Sequence, residues 1–219
     1  MPRALFEKYG NAIYTSHLDL MRVFQRAFKR AGLPLTHTQG FNPRPSVSIA
    51  LPLSLGVESR CELLDFDLEG EKIDNSEILR RLNEALIDGV RILQVYDDGR
   101  KVKHLAYLDC IVTLEYDAGI GEDAKQRMEA LFSQDQILVE KKSKNGMVEQ
   151  DIRPMIRTLK IVCDNANEIS IHARICCQNP SLNPMLLSAA ISKYLPDLTP
   201  DFARCCRIEL FDHENNIFR

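Results

Sequence analysis

The sequence predicts an α+β protein made of two tandem ferredoxin-like units, each with the order β-α-β-β-α-β and an antiparallel sheet. Three observations predict this class. Strand-like and helix-like segments follow that order once before a charged, turn-rich stretch, Asp97-Asp98-Gly99-Arg100-Lys101. The same order recurs after that stretch. We therefore expect an N-terminal unit at residues 1–98 and a C-terminal unit at residues 104–219.

Each element of the first unit has a local signal. Ser16 is a typical helix N-cap residue, and Gly32 followed by Pro34 is a typical helix end. Asp74 opens a capping signal for a second helix. The predicted elements are strands at 5–15, 46–50, 61–68 and 90–96, and helices from about 17 to 31 and from 74 to about 87. A turn at Gly10-Asn11 that breaks the first strand is the alternative for that element.

The second half repeats this order in pattern only. The predicted strands are 104–116, 136–142, 157–163, 168–177 and 204–211, and the predicted helices are 121–134 and 183–195. No residue-level repeat relates the two halves. A single α+β domain with one continuous sheet is therefore the alternative interpretation.

The first helix is amphipathic and basic. Its apolar positions are Leu20, Val23, Phe24, Ala27 and Phe28, and its opposite face carries Arg22, Arg26, Lys29 and Arg30. Helical spacing places the four cations on one stripe, and Asp19 lies in the first turn, where the helix dipole favours a negative charge. Residues 1–60 have a net charge of +5, whereas the whole chain has −3. This asymmetry favours a local anion site. A solvated outer helix face explains the stripe equally well.

A stiff loop, Gln39-Gly40-Phe41-Asn42-Pro43-Arg44-Pro45, follows this helix. Gly40 permits a positive φ, and the two prolines fix φ on either side of Arg44. Such a loop is suited to holding side chains in place. The candidates are Gln39, Phe41, Asn42 and Arg44, with His37 before them. We expect these residues to lie near His17 if the two strands flanking the helix are neighbours.

A second basic region lies in the C-terminal half. Lys141, Lys142 and Lys144 precede Asn145-Gly146, a dipeptide typical of hairpin turns, and Arg153 follows in an Asp-Ile-Arg-Pro sequence. These cations are suited to a phosphate backbone. Lysine-rich hairpin tips are also common as solvated ends.

Composition excludes several classes. No apolar run reaches the length of a membrane-spanning helix, and the start of the chain lacks a signal-peptide pattern, so we expect a cytoplasmic protein with no membrane partner. The seven cysteines include no C-x₂-C spacing. We therefore expect reduced thiols, no metal site and no iron–sulfur cluster in this chain.

Several irregular motifs resemble a known family. The sequences S-H-L-D-L-M-R, Q-G-F-N-P-R-P and L-P-L-S-L-G-V-E-S, and the later D-I-R-P-M-I, are similar to the radical-SAM-associated domain family of bacteria, whose function is unassigned. The resemblance covers nearly the whole chain. It implies a partner, because such domains are fused to or encoded beside a radical S-adenosylmethionine protein, often with a cobalamin-binding region. The iron–sulfur cluster, S-adenosylmethionine and cobalamin would then belong to that partner.

Three functions are consistent with these features. The leading hypothesis is a non-catalytic companion that binds a structured RNA and presents it to the radical S-adenosylmethionine protein. The first alternative is a metal-independent endoribonuclease using His17, His37 or Tyr14 as acid and base. The second is a docking module whose contact is the apolar loop at residues 51–55. The predicted RNA-binding residues are Ser16, His17, Asp19, Arg22, Arg26, Arg30, Gln39, Phe41, Asn42, Arg44, Lys142 and Arg153. Phe41 and Tyr14 are the only aromatic residues of this region, and the sheet shows no aromatic pair of the type that stacks bases in RNA-recognition domains, which weighs against base stacking.

Overall fold

The computed structural model describes residues 2–143 and 146–219, with only the backbone at 142 and 143. The chain divides into two compact units, one ending at Val102 and including Arg219, the other spanning Lys103–Phe218. Both units mix helices with antiparallel strands, so the predicted α+β class is confirmed. The elements of each unit are described separately.

In the first unit, four strands and two helices follow the predicted order. They are β1 (Arg3–Lys8), α1 (His17–Arg30), β2 (Val47–Ile49), β3 (Val57–Phe66), α2 (Asn75–Ala85) and β4 (Val90–Tyr96). The sheet order is β4-β1-β3-β2, and every pairing is antiparallel. Both helices pack apolar faces on this sheet. Phe6 contacts Phe24 with ring centroids 4.9 Å apart, and Phe28 contacts Phe66 at 5.0 Å.

Two predicted boundaries in this unit are wrong. The opening strand ends at Lys8 rather than residue 15, close to the break at Gly10-Asn11 that the sequence offered as an alternative, because Gly10 has φ 55° and a 3₁₀ helix covers Gly10–Tyr14. The third strand begins at Val57, earlier than the predicted residue 61. The expected neighbourhood of the strands flanking α1 is also wrong, since β3 lies between β1 and β2.

In the second unit, the elements are β5 (Leu105–Glu115), α3 (Ala124–Phe132), β6 (Leu138–Ser143), β7 (Gly146–Asp151), β8 (Ile156–Cys163), β9 (Glu168–Cys176), α4 (Met185–Tyr194) and β10 (Phe202–Asp212). The main sheet has the order β10-β5-β9-β8 and is antiparallel throughout. β6 and β7 form a separate two-stranded sheet. The predicted Asn145-Gly146 turn and Lys144 involve positions 144–145, which lie outside the described residues.

Candidate functional site

The N-terminus of α1 is fixed by its predicted cap. The Ser16 hydroxyl accepts a hydrogen bond from the backbone N–H of Asp19 at 3.2 Å and donates to the Asp19 carboxylate at 2.7 Å. Arg22 adds an ion pair to Asp19 at 2.8 Å. The Ser16 hydroxyl and then Arg22 hold the pKa of Asp19 below its usual value. Ser16, Asp19 and Arg22 therefore have a structural role in starting the helix.

The outer face of α1 carries the predicted basic stripe. Leu20, Phe24, Ala27 and Phe28 are buried, and Arg22, Arg26, Lys29 and Arg30 are exposed. Because the apolar face of α1 is buried in the core, the four cations on the opposite face are exposed, as the periodicity predicts.

The four cations differ in their partners. Arg22 is paired with Asp19, and Arg30 donates to the carbonyl of Ala85 at 2.5 Å. Within the described parts of the chain, neither Arg26 nor Lys29 has a carboxylate within ion-pair distance. These two residues are therefore the cations of α1 best placed to meet an external anion.

A closed loop presents the second set of candidates. The Thr38 N–H donates to the Arg44 carbonyl at 2.8 Å, and the Arg44 N–H donates to the Thr38 hydroxyl at 3.0 Å. Gly40 has φ +135°, a conformation that favours glycine. The exposed side chains are Gln39, Phe41, Asn42 and Arg44. The loop therefore holds one cation and one fully exposed aromatic ring away from the core.

His17 and His37 lie at opposite ends of α1. Close to His17, Lys8 at the end of β1 donates to the Thr15 carbonyl at 2.9 Å. Near His37, the Thr36 N–H donates to the carbonyl of Asp67, just after β3, at 3.0 Å. A helix of 14 residues spans about 20 Å between these ends. The loop was expected near His17 only if the strands flanking α1 were neighbours, and β3 separates them.

The local surroundings of these histidines also differ. His17 is half-buried, and its Nδ1 has no hydrogen-bond partner among the residues described. His37 is exposed, with Nδ1 3.8 Å from a Glu69 carboxylate oxygen. Tyr14 is exposed in the 3₁₀ helix that precedes α1. The acid and base of the endoribonuclease hypothesis are thus not brought together as a His17–His37 pair.

The two candidates of the second unit lie on different elements. Lys142 lies in β6, where its backbone pairs with Met147, and its side chain is outside the described structure. Arg153 is half-buried in a short 3₁₀ helix, and its guanidinium donates to the Ile156 carbonyl at 3.4 Å. This contact favours a structural role for Arg153.

The second unit contains an aromatic pair that the sequence alone did not reveal. Tyr107 on β5 and Phe211 on β10 are directly opposite in the strand register. They come from the two ends of the unit in sequence, so only the strand pairing could reveal them. The expected lack of a base-stacking aromatic pair was argued for the region of α1 and its loop, so this pair in the second unit lies outside that expectation.

The cysteines are buried thiols for the most part. All seven are free, and only Cys163 is exposed. A hydrogen bond with Cys205, together with burial, raises the pKa of the Cys110 thiol, and burial raises the pKa of Cys177 to about 12. Such thiols are protonated at neutral pH and are poor metal ligands. The described residues contain no group of three or more His, Cys, Asp or Glu side chains placed to hold a metal.

The fold and site define an α+β protein with mainly antiparallel sheets and an exposed basic helix in its first unit. A family of bacterial proteins matches residues 2–184 and is described as "uncharacterized protein conserved in bacteria (DUF2344)". The chain belongs to this family. No curated protein matches it. None of the described helices is both long and apolar enough to cross a membrane.

Two solved structures match this chain to different extents. A chain of the crystal structure of a Cbf5-Nop10-Gar1 complex is similar with a TM-score of 0.53 at 7% identity, over 95% of this chain and 48% of that one. The chain thus spans about half the length of that protein, and the likeness concerns the fold alone. An unknown protein from Galdieria sulphuraria gives a TM-score of 0.26 at 11% identity, over 94% of this chain and 96% of that one.

Proposed function

We propose that the chain is a non-catalytic companion of a radical S-adenosylmethionine enzyme and that it binds a structured RNA through its first unit. The observation that carries the RNA part is the exposed basic stripe of α1, on which Arg26 and Lys29 have no carboxylate within ion-pair distance in the described structure. Cations of this kind supply sequence-independent affinity for phosphates.

The loop at 38–44 supplies a second type of contact. It follows the C-terminal end of α1 and carries both the exposed Arg44 side chain and the exposed ring of Phe41. Unpaired bases stack on aromatic rings, and arginine binds phosphate oxygens with a planar fork. Together α1 and this loop offer contacts to a phosphate backbone and to a looped-out base, which is the combination that a structured RNA presents.

We further infer that both units are ferredoxin-like. The sheet orders β4-β1-β3-β2 and β10-β5-β9-β8 support this, because in each the next strand of the main sheet after the first helix is at the edge of that sheet. The β6–β7 pair is then an insertion after α3. Ferredoxin-like units commonly bind RNA through a sheet face or adjoining loops.

The radical S-adenosylmethionine partner is supported by the sequence motifs that resemble domains fused to or encoded beside such enzymes. The seven cysteines lack the spacing of a cluster motif, so the cluster would belong to the partner. Purification of the tagged chain from its native bacterium is expected to enrich such an enzyme. Its absence from crosslinked preparations would contradict this part of the proposal.

The RNA part is tested by crosslinking the chain to cellular RNA, sequencing the bound species and measuring their affinity. Arg26→Glu with Arg44→Glu is expected to weaken binding of the enriched RNA by at least about tenfold at low salt. A matched charge change outside the proposed contact residues, Lys101→Glu with Lys125→Glu, is the control; both lysines are exposed. Equal affinity of the two double variants would overturn the proposal.

The docking-module alternative depends on the loop at residues 51–55. Leu55 is 62% exposed there, whereas Leu53 is buried. Leu55→Glu is expected to reduce capture of the partner if this loop is the contact, with RNA affinity unchanged. If Leu55→Glu captures the partner as well as the wild-type chain does, this loop is not the docking contact.

A further inference from the structure

The main sheet of the second unit has one buried face and one open face. Leu108 and Val112 on β5 and Ile171 on β9 belong to the buried rows. The alternate positions, such as Asp109 on β5 and His172 on β9, are half-exposed or exposed. We call this second surface of the unit 2 sheet the open face.

A β-bulge in β10 determines which side chains reach the open face. Arg207 pairs with Cys110 and Glu209 pairs with Asp109, so the strand carries one extra residue at Ile208. A bulge reverses the alternation of side chains beyond it. Phe211 therefore lies opposite Tyr107, and both half-buried rings lie on the open face.

A second bulge, in the edge strand β8, brings a cation to the same place. Ile156 pairs with Ile175 and Thr158 pairs with Arg174, so Arg157 is the extra residue. The Arg157 guanidinium donates to the Tyr107 hydroxyl at 2.9 Å and lies 4.9 Å from the centre of its ring.

Arg174 forms the other part of this surface. Its guanidinium makes two hydrogen bonds to the Asp109 carboxylate, at 2.7 and 2.8 Å, and a third to the side chain of Asn215 at 3.2 Å. It also lies 3.7 Å from the ring centroid of Phe211. Four contacts fix the plane of this guanidinium, so it is pre-organised for stacking.

A groove continues from this cluster along the sheet. Its lining includes polar or charged side chains and apolar ones, the former being Asp109, Thr158, Lys160, His172 and Arg174 and the latter Ile111, Leu159, Ala173 and Ile208. Lys160 and Arg157 are both exposed on β8, and in the described part of the chain neither has a carboxylate within ion-pair distance. The groove therefore combines planar and polar side chains with apolar ones, and the edge strand supplies Lys160 in its lining and Arg157 in the neighbouring cluster.

We propose that the open face of the second unit binds an unpaired segment of single-stranded RNA. A base stacks on the row formed by Tyr107, Phe211 and the two arginine planes, and the phosphates contact Arg157 and Lys160. Aromatic rings and guanidinium planes are the groups that stack unpaired bases, and cations beside them track the backbone. This second site goes beyond the RNA contact proposed for α1 and uses none of its residues.

The test uses the full chain and fluorescein-labelled octauridylate, with an abasic ribose-phosphate strand of the same length as the comparison. The wild-type chain is expected to bind octauridylate at least about tenfold more tightly than the abasic strand, because stacking requires bases. Tyr107→Leu is expected to remove most of this preference. Tyr9→Leu is the control, since Tyr9 is an exposed tyrosine of the first unit.

Equal binding of the two strands by the wild-type chain would overturn the proposal. An unchanged preference in Tyr107→Leu would do so as well, provided that its circular dichroism spectrum is native. If that variant does not fold, Arg157→Gln tests the same surface from an exposed position, with about fivefold weaker octauridylate binding expected.

Different variants test the two RNA proposals, so one proposal can be contradicted while the other stands. Arg26→Glu with Arg44→Glu is expected to retain octauridylate binding while losing the structured RNA. Loss of octauridylate binding in that variant would assign the single strand to α1 and overturn the second site. Loss of octauridylate binding in Tyr107→Leu alone supports the second site whatever the result for structured RNA.

Discussion

Lys8 is a buried cation that fixes the start of the basic helix. Its side chain is 1% exposed, and its ammonium donates to the carbonyls of Ile13 and Thr15 at 3.1 and 2.9 Å. A buried ammonium is tolerated only where such partners replace water. Lys8 thereby ties the 3₁₀ segment to the end of β1, immediately before the Ser16 cap.

Replacement of Lys8 by methionine keeps the length of the side chain and removes its donors. We expect Lys8→Met to lower the free energy of unfolding by about 1–3 kcal/mol, because the Thr15 carbonyl loses the ammonium donor, whereas the Ile13 carbonyl keeps the Gly56 N–H at 3.0 Å. Urea unfolding measures this change. Lys29→Met, at an exposed position of α1, is the control and is expected to change stability by less than about 0.5 kcal/mol. A native urea midpoint for Lys8→Met would show that water satisfies the Thr15 carbonyl.

The residues of α1 were predictable because their signals are local. The Ser16 cap and the separation of Phe24 from Arg26 follow from spacing along a single helix. The aromatic pair of the second unit was not predictable in this way. Tyr107 and Phe211 become partners only through a long-range strand pairing with a bulge at Ile208, and sequence alternation alone does not locate a bulge.

At the scale of elements, α2 shows how surface charges support a helix. Arg80 and Arg81 both donate to the Glu77 carboxylate, and Arg80 also pairs with Glu84. The hydrogen bonds from Arg80, which has the larger effect, and from Arg81 lower the pKa of Glu77 from 4.5 to about 2. A carboxyl with a lowered pKa stabilises the folded state above its unfolded pKa, and this contribution is lost as the pH falls towards its folded pKa.

We therefore expect Glu77→Gln to lower the melting temperature near pH 7 and to have a smaller effect as the pH falls from about 4.5 to 2. Thermal unfolding followed by circular dichroism across this range measures the difference. Glu122→Gln is the control, because Glu122 is exposed. If the melting temperatures of Glu77→Gln and the wild-type chain differ by the same amount at every pH, the charge of Glu77 does not stabilise α2.

Element prediction failed where no side of the segment is buried. β7 is absent from the predicted strands, and four of its six residues are exposed, so it lacks the alternation that identifies a half-buried strand. The longer strands β5 and β10 have alternating burial and were predicted to within two residues at each end. A strand can therefore be predicted from the sequence when one of its faces packs in the core, because that burial produces the alternation of apolar and polar residues.

At the scale of the molecule, charge is unevenly distributed. Residues 1–60 carry a net charge of +5 in a chain of −3. Two of those cations, Arg3 and Lys8, are buried, whereas the cations of α1 and the loop at 38–44 are exposed. The exposed positive charge of this region is therefore concentrated on the proposed RNA surface, and binding there should release counterions from the RNA.

This distribution predicts the salt dependence of RNA binding. The affinity of the wild-type chain for its enriched RNA should fall steeply with salt, and Arg26→Glu with Arg44→Glu should reduce the slope of log affinity against log salt by roughly one to two. Tyr107→Leu should leave this slope unchanged, because its ring carries no charge, even where it weakens binding. Titrations at several salt concentrations distinguish these cases. Equal slopes for the wild-type chain and the arginine variant would show that α1 and its loop do not contact phosphates, and the affinity would then have to come from uncharged contacts.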